Sequence, residues 1–359
     1  MVKNSAEIKN NCFDDYFWSV FNTLNDKIQL LKKATPRRAL NSFKVISSFY
    51  LSKILAKPIQ WGLPLAVAIE PTTACNLGCP ECPSGLRSFS RATGNLKKEF
   101  YQTVIDQLAK DTFYLTFYFQ GEPYINKDFL EMVNYASQKK VYTATSTNAH
   151  FLNDENARKT VESGLDRLII SIDGTTQETY ENYRRKGSLE KVIEGTKNIV
   201  KWKKQLNSKT PHIIFQFLVV KPNEHQIDDV HQLAKELGVN EVKLKTAQVY
   251  DYENGNPLIP TIDKYSRYRK NADGTYRIKN SLDNHCWKLW HSCVITWDGG
   301  VIPCCFDKDA EYKQGDLKDS SFREIWQGEA YQNFRRQLLN GRDQIEICKN
   351  CSEGTKVWG

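Results

Sequence analysis

Cysteine is absent from the long middle of this sequence: the chain holds ten, and none lies between Cys82 and Cys286. The gap leaves Cys12 alone, three thiols within residues 75–82, and six beyond residue 285. Clustering of this kind, in a chain without an export signal, favours metal chemistry over a disulfide framework. The signal is missing because "MVKNSAEIKNNCFDDYF" has no charged start followed by an apolar core, so the expected compartment is the cytoplasm. Long apolar runs are also lacking. The most apolar early stretch, residues 43–71, is broken by Lys44, Lys53, Lys57, Pro58 and Gly62, which argues against a transmembrane helix. No lysine/arginine run and no basic patch interleaved with aromatics occurs, so a nucleic-acid partner is not expected. The net charge of +8 then reads as a solvated, lysine-rich surface. There is no internal repeat and no low-complexity tract.

The 359 residues, 40% hydrophobic and 26% charged, suffice for one large α/β barrel and a smaller module. A helical leader is expected over 1–60, stopped by Pro58. Within it Phe43, Ile46, Phe49, Leu51 and Leu55 mark an amphipathic helix whose expected use is packing on the barrel, with contact to a membrane surface the alternative. Six β-branched or aromatic stretches follow, at 64–71, 113–123, 141–149, 167–174, 212–220 and 241–249. Helix-like segments separate them, one carrying Phe100, Val104, Ile105 and Leu108 on one face. Such alternation predicts parallel strands over 61–250 in a partial (β/α)6, TIM-like barrel. Barrels of this kind gather reactive residues at the C-terminal ends of their strands. Residues 251–282 are turn-rich and read as a linker or flap, and 283–359 as a small cysteine-rich domain.

Directly after the first strand comes "EPTTACNLGCPECPSG". Three thiols fit neither a disulfide, which leaves one over, nor a tetrahedral zinc site, which lacks a fourth ligand. A cuboidal iron–sulfur cluster held at three corners keeps one iron open for chemistry. Gly78 and Gly85 give the loop its backbone freedom, and Pro80 and Pro83 stiffen it.

The Cys75-x3-Cys79-x2-Cys82 spacing, with Asn76-Leu77 and Pro80 between, resembles the signature loop of radical S-adenosylmethionine (SAM) enzymes. The resemblance implies a 4Fe–4S cluster on these three thiolates and SAM chelating the open iron. An electron from the cluster then yields a 5′-deoxyadenosyl radical that takes a hydrogen atom from the substrate, the protein supplying orientation and a dry pocket. It implies roles for further residues. Gly121 and Glu122 stand in a Gly-Gly-Glu-Pro-type turn whose first glycine is here Gln120, and Glu122 would meet the cofactor's amino group. Ser146 and Asn148 end strand three, where the cofactor or substrate is contacted; a plain loop cap is an equal reading for Asn148. Ser171 and Asp173, in "SIDG", match a motif facing the ribose, Ser171 the better match, with helix capping the other reading of Asp173. Arg184 resembles an arginine that pairs with the cofactor carboxylate, with Arg185 an adjacent competitor.

Twelve residues separate Cys286 from Gly299 and four separate Gly299 from Cys304, and Cys348-Lys349-Asn350-Cys351 follows. "VITWDGGVIPCCFD" reads as a hairpin turning at Asp298-Gly299-Gly300, and "SSFREIWQGEAYQNFRRQLLNG" as a helix leading back to the last cysteine pair. Zinc is the ordinary reading of four thiolates. The arrangement, with "GDLKDSSFREIW", instead resembles the SPASM/twitch auxiliary-cluster module. That implies one auxiliary 4Fe–4S cluster on Cys286, Cys304, Cys348 and Cys351, with Cys305 the rival of Cys304. A cluster with four protein ligands has no open iron and would relay electrons. The substrate radical then either loses an electron, giving oxidation or a cross-link, or takes a hydrogen atom from a cysteine, giving epimerisation. Cys293 is the candidate hydrogen donor; Cys12 and Cys293 otherwise read as buried thiols. The expected substrate is a peptide or protein, with a sugar, aminocyclitol or other small metabolite as the alternative. Flavodoxin or ferredoxin is the expected electron donor. A non-catalytic zinc or iron–sulfur protein is the rival of another class.

Overall fold

The computed structural model describes residues 23–354; Cys12 and the first part of the expected leader lie outside the described residues. Residues 23–31 are helical, and α1 (Pro36–Leu55) starts at Thr35, whose hydroxyl accepts from the Arg38 amide, with Pro36 in the first turn. The alternation expected from sequence is present: β1 (Ala66–Ile69), α2 (Lys98–Leu108), β2 (Tyr114–Thr116), α3 (Phe129–Gln138), β3 (Tyr142–Thr147), α4 (Asp154–Glu162), β4 (Arg167–Ser171), α5 (Gln177–Tyr183), α6 (Leu189–Gln205), β5 (His212–Val219), α7 (Ile227–Leu237) and β6 (Glu241–Thr246). Strands β1 to β6 pair in sequence order and in parallel, a partial TIM-like barrel.

Register sorts the side chains by period two. Val67, Leu115, Ile170 and Phe215 pack with Val104 and Ile105 of α2 and Met132 and Val133 of α3 in one core. The alternate set, including Ala68, Thr116, Ser146, Ser171 and Gln216, faces the barrel interior. The N-terminal mouth is closed by a polar plug: Asp26, from residues 23–31, takes hydrogen bonds from the Tyr142 hydroxyl and the Arg167 guanidinium. Buried charges persist only when paired in this way.

The C-terminal region is built onto the same sheet. The linker carries a hairpin, β7 (Tyr268–Lys270) with β8 (Tyr276–Ile278). After α8 (Lys288–His291), β9 (Ser292–Ile295) lies parallel to β1, and β10 (Gly300–Ile302) folds back antiparallel through the expected turn, followed by β11 (Gly315–Asp316). The order among the described residues is β11-β10-β9-β1-β2-β3-β4-β5-β6. The single helix expected after it is two, α9 (Phe322–Gln327) and α10 (Glu329–Gly341), divided at Gly328, before α11 (Glu346–Lys349). Helix α1 docks through Phe49, whose ring meets Trp287 and Trp290 edge-on at 5.2 and 5.7 Å.

Candidate active site

The loop after β1 curls around its own thiols. The Leu77 amide donates to Cys75 Sγ at 3.4 Å, and the Gly78 amide to the Arg185 carbonyl at 2.9 Å. Gly85 is needed for its missing side chain: a Cβ there would lie 2.6 Å from both N and O of Cys79. Behind the loop, Glu70 at the end of β1 is gripped by Arg91 at 2.5 and 2.9 Å and by the Trp297 amide at 3.2 Å, which ties β1 to the β9–β10 hairpin. Burial pushes the Cys75 thiol up to about 11, and Glu122 and the other two loop thiols push the same way. Burial also raises Cys79, against the Arg184 guanidinium. Three thiols close together on one loop, Cys79 buried and Cys75 and Cys82 half-buried, fit a body that brings its own positive charge, as iron does.

The second and third strands bring their ends to the same loop. Gly121 has φ +75°, and a Cβ on it would come within 2.3 Å of the Thr72 carbonyl, so only glycine permits this approach. Its amide donates to Ser84 Oγ at 2.9 Å, and the Glu122 amide to the Ala74 carbonyl at 2.8 Å. Glu122 is 2% exposed. Its carboxylate accepts from the Thr147 hydroxyl (2.7 Å) and the Asn148 amide (2.8 Å) at the end of β3. Burial raises it to about 7, against those hydrogen bonds. The Asn148 side chain reaches Asn76 Oδ1 at 2.8 Å and stands 4.0 Å from Cys75 Sγ. It also accepts from the His150 amide at 3.1 Å, as a loop cap does.

The fourth strand completes the rim. Ser146 and Ser171 bring their hydroxyls to 3.5 Å across adjacent strands. Asp173 caps no helix. It accepts from the Leu218 amide at 2.7 Å and from Arg184 Nε at 2.5 Å, while Arg184 Nη1 points at Cys79 Sγ from 4.0 Å. Burial alone would lower the Arg184 guanidinium; Asp173 and Cys79 outweigh it and hold it well above its usual value. Arg185 meets the loop through its carbonyl. Tyr180, which the sequence reading passed over, has a buried hydroxyl without a hydrogen-bond partner, and Arg184, Asp173, Cys79 and Glu122 set its charge environment. An orphaned buried donor between these groups fits a polar guest such as SAM. Gln120, standing where a glycine was expected, puts Oε1 3.9 Å from Cys82 Sγ.

The thiols of Cys286, Cys304, Cys348 and Cys351 collect between α8 and the last described residues. Cys286 lies against Gly354, where a Cβ would be 2.3 Å from its Sγ. Burial pushes Cys348 up to about 12, with Cys286 acting the same way, and burial raises Cys351 and Cys304 with Cys286 among their neighbours. Arg342, fully buried, donates to Cys351 Sγ at 3.5 Å and to the carbonyls of His285 and Glu353. Nothing in "NGRDQ" marks this arginine beforehand. No three His, Cys, Asp or Glu side chains among the described residues close tightly enough to hold a single metal ion. The thiols of Cys286, Cys348 and Cys351 around this basic anchor, with Cys304 close to Cys286 and Cys351, fit a larger cluster. Cys304 is half-buried and Cys305 exposed. Cys293 is not brought to the rim. It is 2% exposed in the core, pairs with outward-facing Val67, and lies near Arg335 and Tyr331. Its thiol faces the helices, which removes the basis for a hydrogen-donor role.

Residues 69–237 match the family model for the radical SAM superfamily, and residues 286–352 that for an iron–sulfur cluster-binding domain, SPASM. The tungsten-containing aldehyde ferredoxin oxidoreductase cofactor-modifying protein of Pyrococcus furiosus is 26% identical, over 79% of this chain and 86% of its own length. PqqA peptide cyclase of Bradyrhizobium diazoefficiens is 27% identical, over 81% of this chain and 79% of its own. SuiB of Streptococcus suis, solved with S-adenosylmethionine, shares the fold with a TM-score of 0.60 at 14% identity, over 87% of this chain and 77% of that one.

Proposed function

Given that the chain belongs to the radical SAM superfamily and carries a SPASM domain, we propose that this enzyme modifies a peptide or protein by hydrogen-atom abstraction. Cys75, Cys79 and Cys82 would hold the SAM-binding 4Fe–4S cluster, and Cys286, Cys304, Cys348 and Cys351 one auxiliary 4Fe–4S cluster. Bound there, the first cluster and SAM supply a 5′-deoxyadenosyl radical. The protein's share is placement. Glu122, once ionised, would accept from the cofactor's amino group. Asp173 fixes Arg184 by Nε and so aims the rest of the guanidinium at the loop for a carboxylate. Ser146, Asn148 and Ser171 offer polar contacts along the rim. The auxiliary thiols and Arg342 would hold the relay that takes up or returns an electron, with flavodoxin or ferredoxin as the external donor.

The observation that carries this reading is the convergence of three thiols, Glu122 and the Asp173–Arg184 pair on one rim. The peptide class is supported by the resemblance to PqqA peptide cyclase. The Pyrococcus furiosus relative, named for modifying a cofactor, supports a second reading: a radical dehydrogenase or epimerase of a small metabolite. Anaerobic reconstitution, iron counting and product analysis with SAM, reductant and both substrate classes test this. About eight irons per chain and release of 5′-deoxyadenosine are expected. About four irons would remove the auxiliary relay, and no 5′-deoxyadenosine with any substrate would overturn the reading.

A further inference from the structure

Helix α1 has two apolar faces, and only one of them is covered by the described residues. Val45, Ser48, Phe49 and Ser52 are buried, Phe49 against Trp287 and Trp290 at α8. Leu40, Phe43, Tyr50 and Ile54 are 55%, 68%, 47% and 77% exposed. At 3.6 residues per turn these four fall within about 80° of one another, on the side opposite the buried face. Exposure of this kind is concentrated: of the 14 large hydrophobic side chains exposed among the described residues, nine lie between Leu24 and Trp61.

Charge is concentrated in the same segment. Between Asp26 and Glu70 there are eight lysines and arginines and no acidic residue, so this stretch alone accounts for the net +8 of the chain (50 − 42). Lys33 and Arg37 are spent on Asp166 and Asp111, and Arg38 on backbone carbonyls. Lys44, Lys53 and Lys57 stay exposed beside the apolar stripe. No described helix is long and apolar enough to cross a membrane, and α1 lies along the surface of the protein.

We propose that α1 is a lipid-docking face: Leu40, Phe43, Tyr50 and Ile54 enter the interfacial region of an anionic bilayer while Lys44, Lys53 and Lys57 meet its headgroups. An apolar stripe with cations and no acids at its margins has the chemistry of an interfacial helix. The anionic partner follows from the one-sided charge, since a soluble acidic protein would not require so broad an apolar strip. The placement is independent of the reaction and of the clusters.

The test is co-sedimentation of the full-length protein with phosphatidylcholine vesicles, with and without phosphatidylglycerol. Binding is expected only with the anionic lipid, falling with added salt. It should vanish in the Phe43→Glu/Ile54→Glu variant. In Lys44→Gln/Lys53→Gln/Lys57→Gln the partition constant should fall on the order of 100-fold. Both variants should keep the wild-type unfolding curve, because the altered side chains are exposed; the salt series stands without them. Equal binding to both vesicles overturns the proposal. So does no binding to either, which would mean that residues 1–22 or another surface covers the stripe. A protein dimer dissociated by Phe43→Glu/Ile54→Glu, without vesicle binding, overturns it too.

Discussion

The Asp173–Arg184 pair permits a test in which the two halves of one interaction fail differently. Asp173 is fully buried and the Arg184 side chain 16% exposed, so solvent screens the pair little. Removing one member of such a pair costs about 3–5 kcal/mol, because the other charge is left buried and unpaired. In Asp173→Asn the remaining amide oxygen still accepts from the Leu218 amide, but the guanidinium has no counter-charge and cannot release its proton. That loss should be constant with pH. In Arg184→Met the group left behind is a carboxylate that burial already raises and that Arg184 does most to lower. Without the arginine it rises further. The folded protein then binds a proton that the unfolded chain, with an aspartate near 3.9, has released, so stability falls as pH rises. The Met variant should therefore approach the wild type from about pH 8 to about pH 5, while the Asn variant does not. Urea unfolding of the apo-protein across that range measures both. Losses under about 1 kcal/mol in both variants, or matching pH trends, would refute the claim that this pair is a buried, charge-matched clamp.

Gly121→Ala forces a Cβ to within 2.3 Å of the Thr72 carbonyl at φ +75°, and should cost about 2 kcal/mol or more in urea unfolding, with lower iron retention on reconstitution. Cys304→Ala should reduce iron from about eight to about four per chain, whereas Cys305→Ala should not; the reverse result would exchange their roles. SAM binding, followed by calorimetry, should weaken as pH falls through about 7, where Glu122 takes up a proton and can no longer accept from an ammonium, and Glu122→Gln should abolish that step. Cys293→Ala should lower thermal stability and leave the product distribution unchanged, as its thiol sits among Tyr331 and Arg335.

The rim was legible in advance because its logic is local. Each strand ends within a few residues of the polar group it presents, as β2 does at Gly121-Glu122, β3 at Asn148 and β4 at Asp173. Parallel pairing then places all those ends on one side. The features that stayed hidden depend on distant partners. β9 joins β1 through the pairing of Ala66 with Ser292, which leaves no periodic trace in either segment, so the sheet's continuation into the C-terminal domain did not show. The β7–β8 hairpin lies in a stretch whose composition is that of turns. It is held by the Tyr252–Tyr268 stack at 4.6 Å and by the Tyr268 hydroxyl bonded to Asn350. Arg342 looks like a solvated charge at a helix end until the thiols of Cys286, Cys348 and Cys351 surround it. Tyr180 occupies an ordinary core position of α5, and only the absence of a partner for its hydroxyl sets it apart. Sequence periodicity reports which face of an element is buried; it carries no record of what that face is buried against, and in α1 it grouped Phe43 with Phe49 although Phe49 is buried and Phe43 faces outward.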